Sequence, residues 1–211
     1  MTDYDFDFAG NLITTKFANN VVEERSYDNV NRLIGVTNTD ANDNILSSYT
    51  YTLDKVGNRT VIDELNGRKV EYDYDELYRL IEETITDPIN SNRLISYSYD
   101  DVGNRLTRDD SVGGITTYIY DNNDRLQSET TAGVETIYGY DNNGNVVSVV
   151  NPQQQVNYDW NSENRLIAAT TTDSTGNHNI QYRYDAKGVR VALIVDGEET
   201  RYLIDANRYY P

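Results

Sequence analysis

The chain has 211 residues, no cysteine, and a formal net charge of −17 from 35 acidic and 18 basic residues. Such a charge repels phosphate backbones and anionic lipid, which sets aside nucleic acid and membrane insertion as partners. The missing cysteines exclude a disulfide framework and a thiolate metal site.

Val, Ile, Leu and Phe number 18, 15, 13 and 3, little more than a fifth of the chain. That is close to the level at which a highly charged chain stays disordered. The 19 tyrosines tip the balance toward folding, since each buries a large ring and keeps a polar tip. The expectation is an ordered protein with a thin apolar layer.

The opening MTDYDFDFAG has neither a basic stretch nor an apolar run, so it reads as lacking a signal peptide, and export would need a route or segment outside this chain. From here one unit recurs. An acidic or amide residue opens a turn at Asp7, Asp28, Asp54, Asp75, Asp100, Asp121, Asp141, Asn161 and Asp185, with gaps of 21, 26, 21, 25, 21, 20, 20 and 24 residues. A self-similar period of this kind marks an array and precedes any other fold assignment.

Before each turn stands an alternating aromatic pair. The pairs are Tyr49/Tyr51, Tyr72/Tyr74, Tyr97/Tyr99, Tyr118/Tyr120, Tyr138/Tyr140 and Tyr182/Tyr184, with Tyr4/Phe6 and Tyr158/Trp160 as variants. Alternation places both rings of a pair on one face of a strand. A turn follows in which the Asp carboxylate caps backbone N–H groups and the fourth residue takes positive φ. That fourth residue is Gly10, Asn31, Gly57, Tyr78, Gly103, Asp124, Gly144, Asn164 and Gly188 in succession. Asn and Asp tolerate positive φ; Tyr78 fits poorly and predicts a different turn type. A short aliphatic strand closes the unit.

Glycine turns therefore alternate with others. The glycine turns mostly continue with Asn, and the others continue with Arg-Leu: Arg32-Leu33, Arg79-Leu80, Arg125-Leu126 and Arg165-Leu166. The larger repeat is about 45 residues and four strands. The opposite strand ends meet loops of uneven length: NTDANDN (38–44), LNGRK (65–69), TDPINSN (86–92), SVGG (111–114), NPQQQ (151–155) and TDSTGNH (172–178). The fold predicted is all-β, an antiparallel meander of about eighteen short strands. It forms nine hairpin units over 1–211 with no separate second domain.

These residues resemble the Rhs (rearrangement hot spot) or YD-repeat family, whose repeat is Tyr-Asp-x-x-Gly-Arg-Leu followed by a variable stretch and Tyr-x-Tyr-Asp. It is matched by Tyr27-Asp28…Arg32-Leu33, Tyr99-Asp100…Gly103-Asn104-Arg105, Tyr120-Asp121…Arg125-Leu126 and Tyr184-Asp185…Gly188. The closing RYLIDANRYYP (201–211) resembles the stretch before the core of bacterial members. The resemblance implies a strip coiled into a hollow shell that encloses a toxin, or an extracellular adhesion scaffold. The Asp-Pro-x-x-Gly-Leu self-cleavage motif of bacterial members has no counterpart here.

The function expected is non-enzymatic: a shell segment that encloses or scaffolds a toxin or effector, secreted or at a cell surface as part of a larger protein. Partners are the remaining shell segments, a C-terminal cargo, and copies of the chain through open sheet edges. The alternative is a binding module that presents its Tyr-lined face or variable loops to carbohydrate or protein. No cofactor is expected. His178, the one histidine, reads as a solvated loop residue without an orienting neighbour. Asp40 to Asn44 lacks the central Gly and terminal Glu of a calcium loop and reads as a solvated turn. Gly113-Gly114 reads as a hairpin turn, not a phosphate cradle.

Overall fold

A computed structural model describes residues 2–202; the predicted match over 203–211 lies outside the described residues. The chain is all-β, with nineteen strands and no helix among the described residues. It divides into two compact units, residues 1–115 and 116–211.

The first unit holds β1 (Asp3–Phe6), β2 (Leu12–Lys16), β3 (Val22–Tyr27), β4 (Leu33–Thr39), β5 (Ile45–Leu53), β6 (Arg59–Glu64), β7 (Lys69–Tyr74), β8 (Leu80–Thr86), β9 (Arg93–Tyr99) and β10 (Arg105–Asp110). Each pairs antiparallel with the next. β11 (Gly114–Tyr120) begins at the boundary. The second unit continues with β12 (Leu126–Thr131), β13 (Val134–Tyr140), β14 (Val146–Val150), β15 (Gln155–Trp160), β16 (Leu166–Asp173), β17 (Gly176–Tyr184), β18 (Arg190–Val195) and β19 (Glu198–Arg201). It has the same meander order.

Nine hairpins account for eighteen strands, and β19 is the added one. This is the antiparallel meander that the repeat predicts, with one strand more.

The apolar layer is thin, as composition predicts. Among the described residues only Val70, Ile95, Tyr118, Ala169, Ala192 and Ile194 are buried apolar residues. By register the first four share the face of the paired tyrosines. Ala192 and Ile194 lie on the other face, where Glu199 joins Arg183 at 3.2 Å and Arg201 at 2.7 Å. The rest of the face away from the tyrosines mixes exposed apolar residues such as Ile119 and Ile137 with polar ones. Cross-strand pairs such as Thr172–Asn177 (2.8 Å) and Ser98–Thr107 (2.6 Å) tie it together, in the manner of hydroxyl pairs on antiparallel sheets.

The predicted contrast between regular turns and irregular far loops needs correction. Three far loops use the same turn as the markers: Phe17 to Val21, Asp40 to Asn44 and Glu64 to Arg68 each close with bonds of 2.9 to 3.1 Å. Their fourth residues, Asn20, Asp43 and Gly67, all have positive φ. The amide or carboxylate side chain lets Asn and Asp take a conformation that sequence spacing credits to glycine.

Candidate functional site

The feature that recurs through both units is the row of marker turns. In all nine, the marker N–H donates to the carbonyl four residues on at 2.9–3.0 Å, and the fourth residue donates back at 2.9–3.3 Å. The marker side chain accepts from the N–H two residues on at 2.8–3.1 Å. It accepts again from the N–H four residues on at 2.8–3.0 Å. Asp7, Asp28, Asp54, Asp75, Asp100, Asp121, Asp141 and Asp185 all sit in this geometry, as does Asn161.

The fourth residues, Gly10, Gly57, Gly103, Gly144 and Gly188, have φ between 80° and 104°. The residue before each marker turn sits at a register shift; in the β9–β10 hairpin the shift falls just after the turn. This is the bulge of a three-residue hairpin. Bonds to the charged form hold several carboxylates low. At Asp7 the Asn11 side chain contributes most, and at Asp28 the Arg32 backbone N–H.

Tyr78 is a correction. It adopts the same turn as its neighbours, with φ 61° and bonds of 2.9 Å on both sides of the turn. The carboxylate of Asp75 accepts two further backbone bonds. Four bonds fix a conformation that a bulky residue otherwise avoids.

The alternation of turns has a physical basis in what the fifth residue reaches. In four of the five glycine turns the fifth residue is Asn, which donates to its own Asp at 2.8–3.0 Å (Asn11, Asn58, Asn104, Asn145); after Gly188 it is Val189. Asn11 and Asn145 also reach the next turn, where Asn31 and Asn164 accept at 2.8 and 3.0 Å. In the other turns the fifth residue is Arg. Arg32, Arg79 and Arg125 clamp their own Asp with Nε at 2.7 Å. Their far nitrogens then donate to the carbonyl of the next marker: Asp54 at 3.0 Å, Asp100 at 3.0 Å and Asp141 at 3.5 Å. At the Asp7 and Asp141 turns an amide thus couples to the next turn's side chain, whereas after Asp28, Asp75 and Asp121 a guanidinium couples to the next marker's carbonyl. Arg165 follows a marker that is Asn161, not a carboxylate. It turns to Glu163 at 2.6 Å, and its guanidinium lies against Gly188, where an added Cβ would collide with it.

The second ring of five of the aromatic pairs, and Tyr27, bond backward to the preceding hairpin. The hydroxyls of Tyr27, Tyr74, Tyr99, Tyr140 and Tyr184 donate to the carbonyls of Leu12, Arg59, Leu80, Leu126 and Leu166 at 2.7–3.0 Å. Trp160 does the same with its indole N–H to Val146 at 2.8 Å. Every acceptor lies five residues beyond the previous marker. Guanidinium groups also cover these rings: Arg79 lies 4.8 Å from the Tyr99 ring centre and Arg125 4.9 Å from that of Tyr140. Such a placement is a cation–π contact.

The first rings behave differently. Tyr51 lies under Arg59 at 4.0 Å, Tyr182 faces Arg190 at 5.5 Å, and Tyr118 is buried. Tyr97 and Tyr138 donate to the carboxylates of Glu83 and Glu129. Burial first and the facing carboxylate second push both hydroxyls up to about 12. Tyr49, Tyr72, Tyr120 and Tyr158 are half-buried on the same face. Leu53 takes the second-ring position in the Tyr49/Tyr51 hairpin, immediately before Asp54.

Two clusters escape the sequence reading. Asp110 is 1% exposed. It accepts from Arg93 through two nitrogens, Nε at 2.8 Å, from Arg108 at 2.7 Å and from the Val112 N–H at 3.0 Å. The Arg93 bonds hold its carboxyl far below the usual range against the cost of burial. No local motif announces a pair seventeen residues apart.

The second cluster corrects the reading of His178, which lies in β17 and has an orienting neighbour. Its Nδ1 is 3.0 Å from Asp196 and its Nε2 3.0 Å from the Thr175 hydroxyl. The Asp196 bond raises its pKa. Thr175 donates its proton to Asp173 at 2.5 Å. With its proton committed to Asp173, the hydroxyl faces Nε2 as an acceptor, the reverse of what an activated nucleophile requires.

The RHS Repeat family profile matches residues 120–156 and 140–178. No curated protein sequence matches the chain. Among solved structures, TcdB2-TccC3 aligns with a TM-score of 0.64 at 20% identity, covering 92% of this chain and 14% of that one. TcdB2-TccC3-Cdc42 aligns at 0.64 and 19% identity, covering 97% and 14%. The Tc holotoxin pore of Photorhabdus luminescens aligns at 0.56 and 16% identity, covering 95% and 15%. The chain thus spans about a seventh of the length of these proteins, and at such identity the likeness is one of fold. The repeat match supports an Rhs/YD-repeat family over residues 120–178, and the solved structures share the fold of the strip.

Proposed function

We propose that the chain is a non-enzymatic wall segment of an Rhs-type β-shell that encloses or scaffolds a toxin or other effector. The observation that carries this reading is the clasping of hairpin to hairpin within each unit, by marker turn, guanidinium and tyrosine hydroxyl together. The side chains that recur most regularly are committed to wall-to-wall contacts. A strip so fastened on a thin apolar layer is built to keep a curved sheet intact. The remaining shell segments and the enclosed cargo are its partners, and a secreted or surface-borne larger protein is its setting. A carbohydrate-binding face fits less well. Five tyrosine hydroxyls already bond to backbone carbonyls, and guanidinium groups cover several ring faces.

The test is the mass of the native protein recovered from source cells with an antiserum to this segment. A species far above 24.1 kDa that protects a covalent or trapped effector from protease is the expected result. A 24.1 kDa species that protects nothing would refute enclosure.

A further inference from the structure

Opposite the marker turns of the second unit, two far-loop turns flank His178, the one histidine of the chain. Ser174 and Thr175 turn β16 into β17; Asp196 and Gly197 turn β18 into β19. Four side chains form a line from one turn to the other. Asp196 Oδ2 is 3.0 Å from Nδ1 of His178, Nε2 is 3.0 Å from the Thr175 hydroxyl, and that hydroxyl donates to Asp173 Oδ1 at 2.5 Å. Each carboxylate is also tied to backbone. Asp196 Oδ1 accepts from the Asn179 N–H and Asp173 Oδ1 from the Thr175 N–H, both at 2.7 Å.

Counting protons decides which form of the ring completes the line. The two outer groups are carboxylates and only accept, and the Thr175 proton goes to Asp173. The ring must therefore donate from both nitrogens. A neutral imidazole has a single N–H. With that proton on Nδ1, a bare Nε2 faces a hydroxyl oxygen whose proton is already placed. With it on Nε2, a bare Nδ1 faces the Asp196 carboxylate. Only the imidazolium bonds at every step.

Charge agrees with the count. The charged groups facing the ring are Asp196, from the β18–β19 turn, and Asp173, from the end of β16. Thr171, its cross-strand partner on β16, and Ile180, on its own strand and face, are neutral. The Asp196 bond raises the pKa of the ring. The Asn179 N–H and the Thr175 hydroxyl hold the carboxyls of Asp196 and Asp173 below their usual range, so both stay ionised where the ring titrates. The marker rim of these strands is fastened differently too. Arg165 turns to Glu163, whereas Arg32, Arg79 and Arg125 reach the next marker's carbonyl.

We propose that His178 is a proton-gated latch joining the β16–β17 turn to the β18–β19 turn, closed while both ring nitrogens carry protons and opened when one is lost. The folded pKa lies above the unfolded value of about 6.5. The stability the latch adds is therefore complete below that value and is lost as pH rises through the folded pKa. The latch lies within one unit and is independent of whether the strip encloses a cargo.

The experiment is an NMR titration of the full chain from about pH 5 to about pH 9. A lone histidine gives one imidazole signal. Amide exchange, corrected for its intrinsic pH dependence, reads the two turns separately. The imidazole is expected to titrate above the ordinary histidine value. The amides of Thr175, Asn179 and Asp196 should exchange roughly threefold faster once the ring is neutral, with a midpoint at the imidazole pKa. The Gly144 amide, in a marker turn, should show no such step. Thr175→Val cuts the line but spares the Asp196 bond, so the step should vanish at residue 175 and persist at Asn179 and Asp196. Asp196→Asn suits the position before Gly in a tight hairpin and should return the imidazole toward its ordinary value. Circular dichroism checks the fold of both variants. A wild-type imidazole titrating at or below the ordinary value overturns the latch, as does a raised value without a step at Thr175; both are read without any variant. A step that survives at residue 175 in Thr175→Val, or an imidazole pKa unmoved by Asp196→Asn, also overturns it.

Discussion

Removing the Arg79 guanidinium should loosen two turns, not one. Arg79 clamps Asp75 at 2.7 Å, donates to the Asp100 carbonyl at 3.0 Å and lies 4.8 Å from the Tyr99 ring centre. In Arg79→Met the next turn loses the charge-assisted bond to the Asp100 carbonyl, about 1.5 kcal/mol, and the cation–π contact with Tyr99, about 0.5 kcal/mol, while the Asp75 turn loses its own ion pair with the guanidinium, of about the same total size. For each turn that is about 2 kcal/mol, or roughly thirtyfold in a local opening constant. Arg79→Lys keeps the charge but loses the fork that reaches both partners. Amide hydrogen exchange reads this locally, which suits a repeat array whose units open separately. The amides of Asp75 and Tyr78 in one turn, and of Asp100 and Gly103 in the next, should exchange roughly thirtyfold faster in Arg79→Met. Arg79→Lys should fall between that variant and the wild type. If the Asp75 turn accelerates while the Asp100 turn keeps its wild-type rate, the coupling offered for the alternation of turns is wrong.

Leu53 occupies a second-ring position that has no polar tip. Leu53→Tyr should bond the Leu33 carbonyl and slide beneath Arg32, gaining about 1 kcal/mol; an unchanged or lower thermal midpoint would count against the register assigned to these rings. Asp110→Asn removes a buried charge from two arginines and should cost about 3 kcal/mol, read as a fall in the urea midpoint; a loss no larger than that of an exposed Asp124→Asn control would refute its structural weight. Tyr97 and Tyr138 have folded pKa values raised to about 12 from an unfolded value near 10. Their neutral forms therefore add stability that is complete below about pH 10 and is lost as pH rises through about 12. Circular dichroism against alkaline titration should show that loss, and a combined Tyr97→Phe and Tyr138→Phe variant should show less of it.

The marker turns were legible because their physics is local. Asp at the first position and a residue tolerant of positive φ at the fourth suffice to write a turn, and the period then supplies the meander. The same rule misled where it was applied too narrowly. Asp40 to Asn44 is such a turn with Asp43 in the glycine position, and Tyr78 shows that enough bonds can hold almost any side chain there. The paired rings were legible as a face but not as donors. A hydroxyl that bonds fourteen to nineteen residues back has no local signature. Asp110 with Arg93 and His178 with Asp196 were hidden for the same reason, since each pair meets only once strand register is fixed.

One consequence joins these observations. A chain with so few buried apolar residues cannot depend on a deep core. Its hairpins are held instead by directional bonds that repeat at every turn, so stability accrues by neighbour contact along the strip. Such a wall can vary its far loops without cost to the clasp, because the clasp lies on the marker rim. It can also change the side chain after the marker, as the two units do at Val56 and Asn143, without altering the turn beneath. The third turn position is thus free to vary while the bonds that form the turn stay the same.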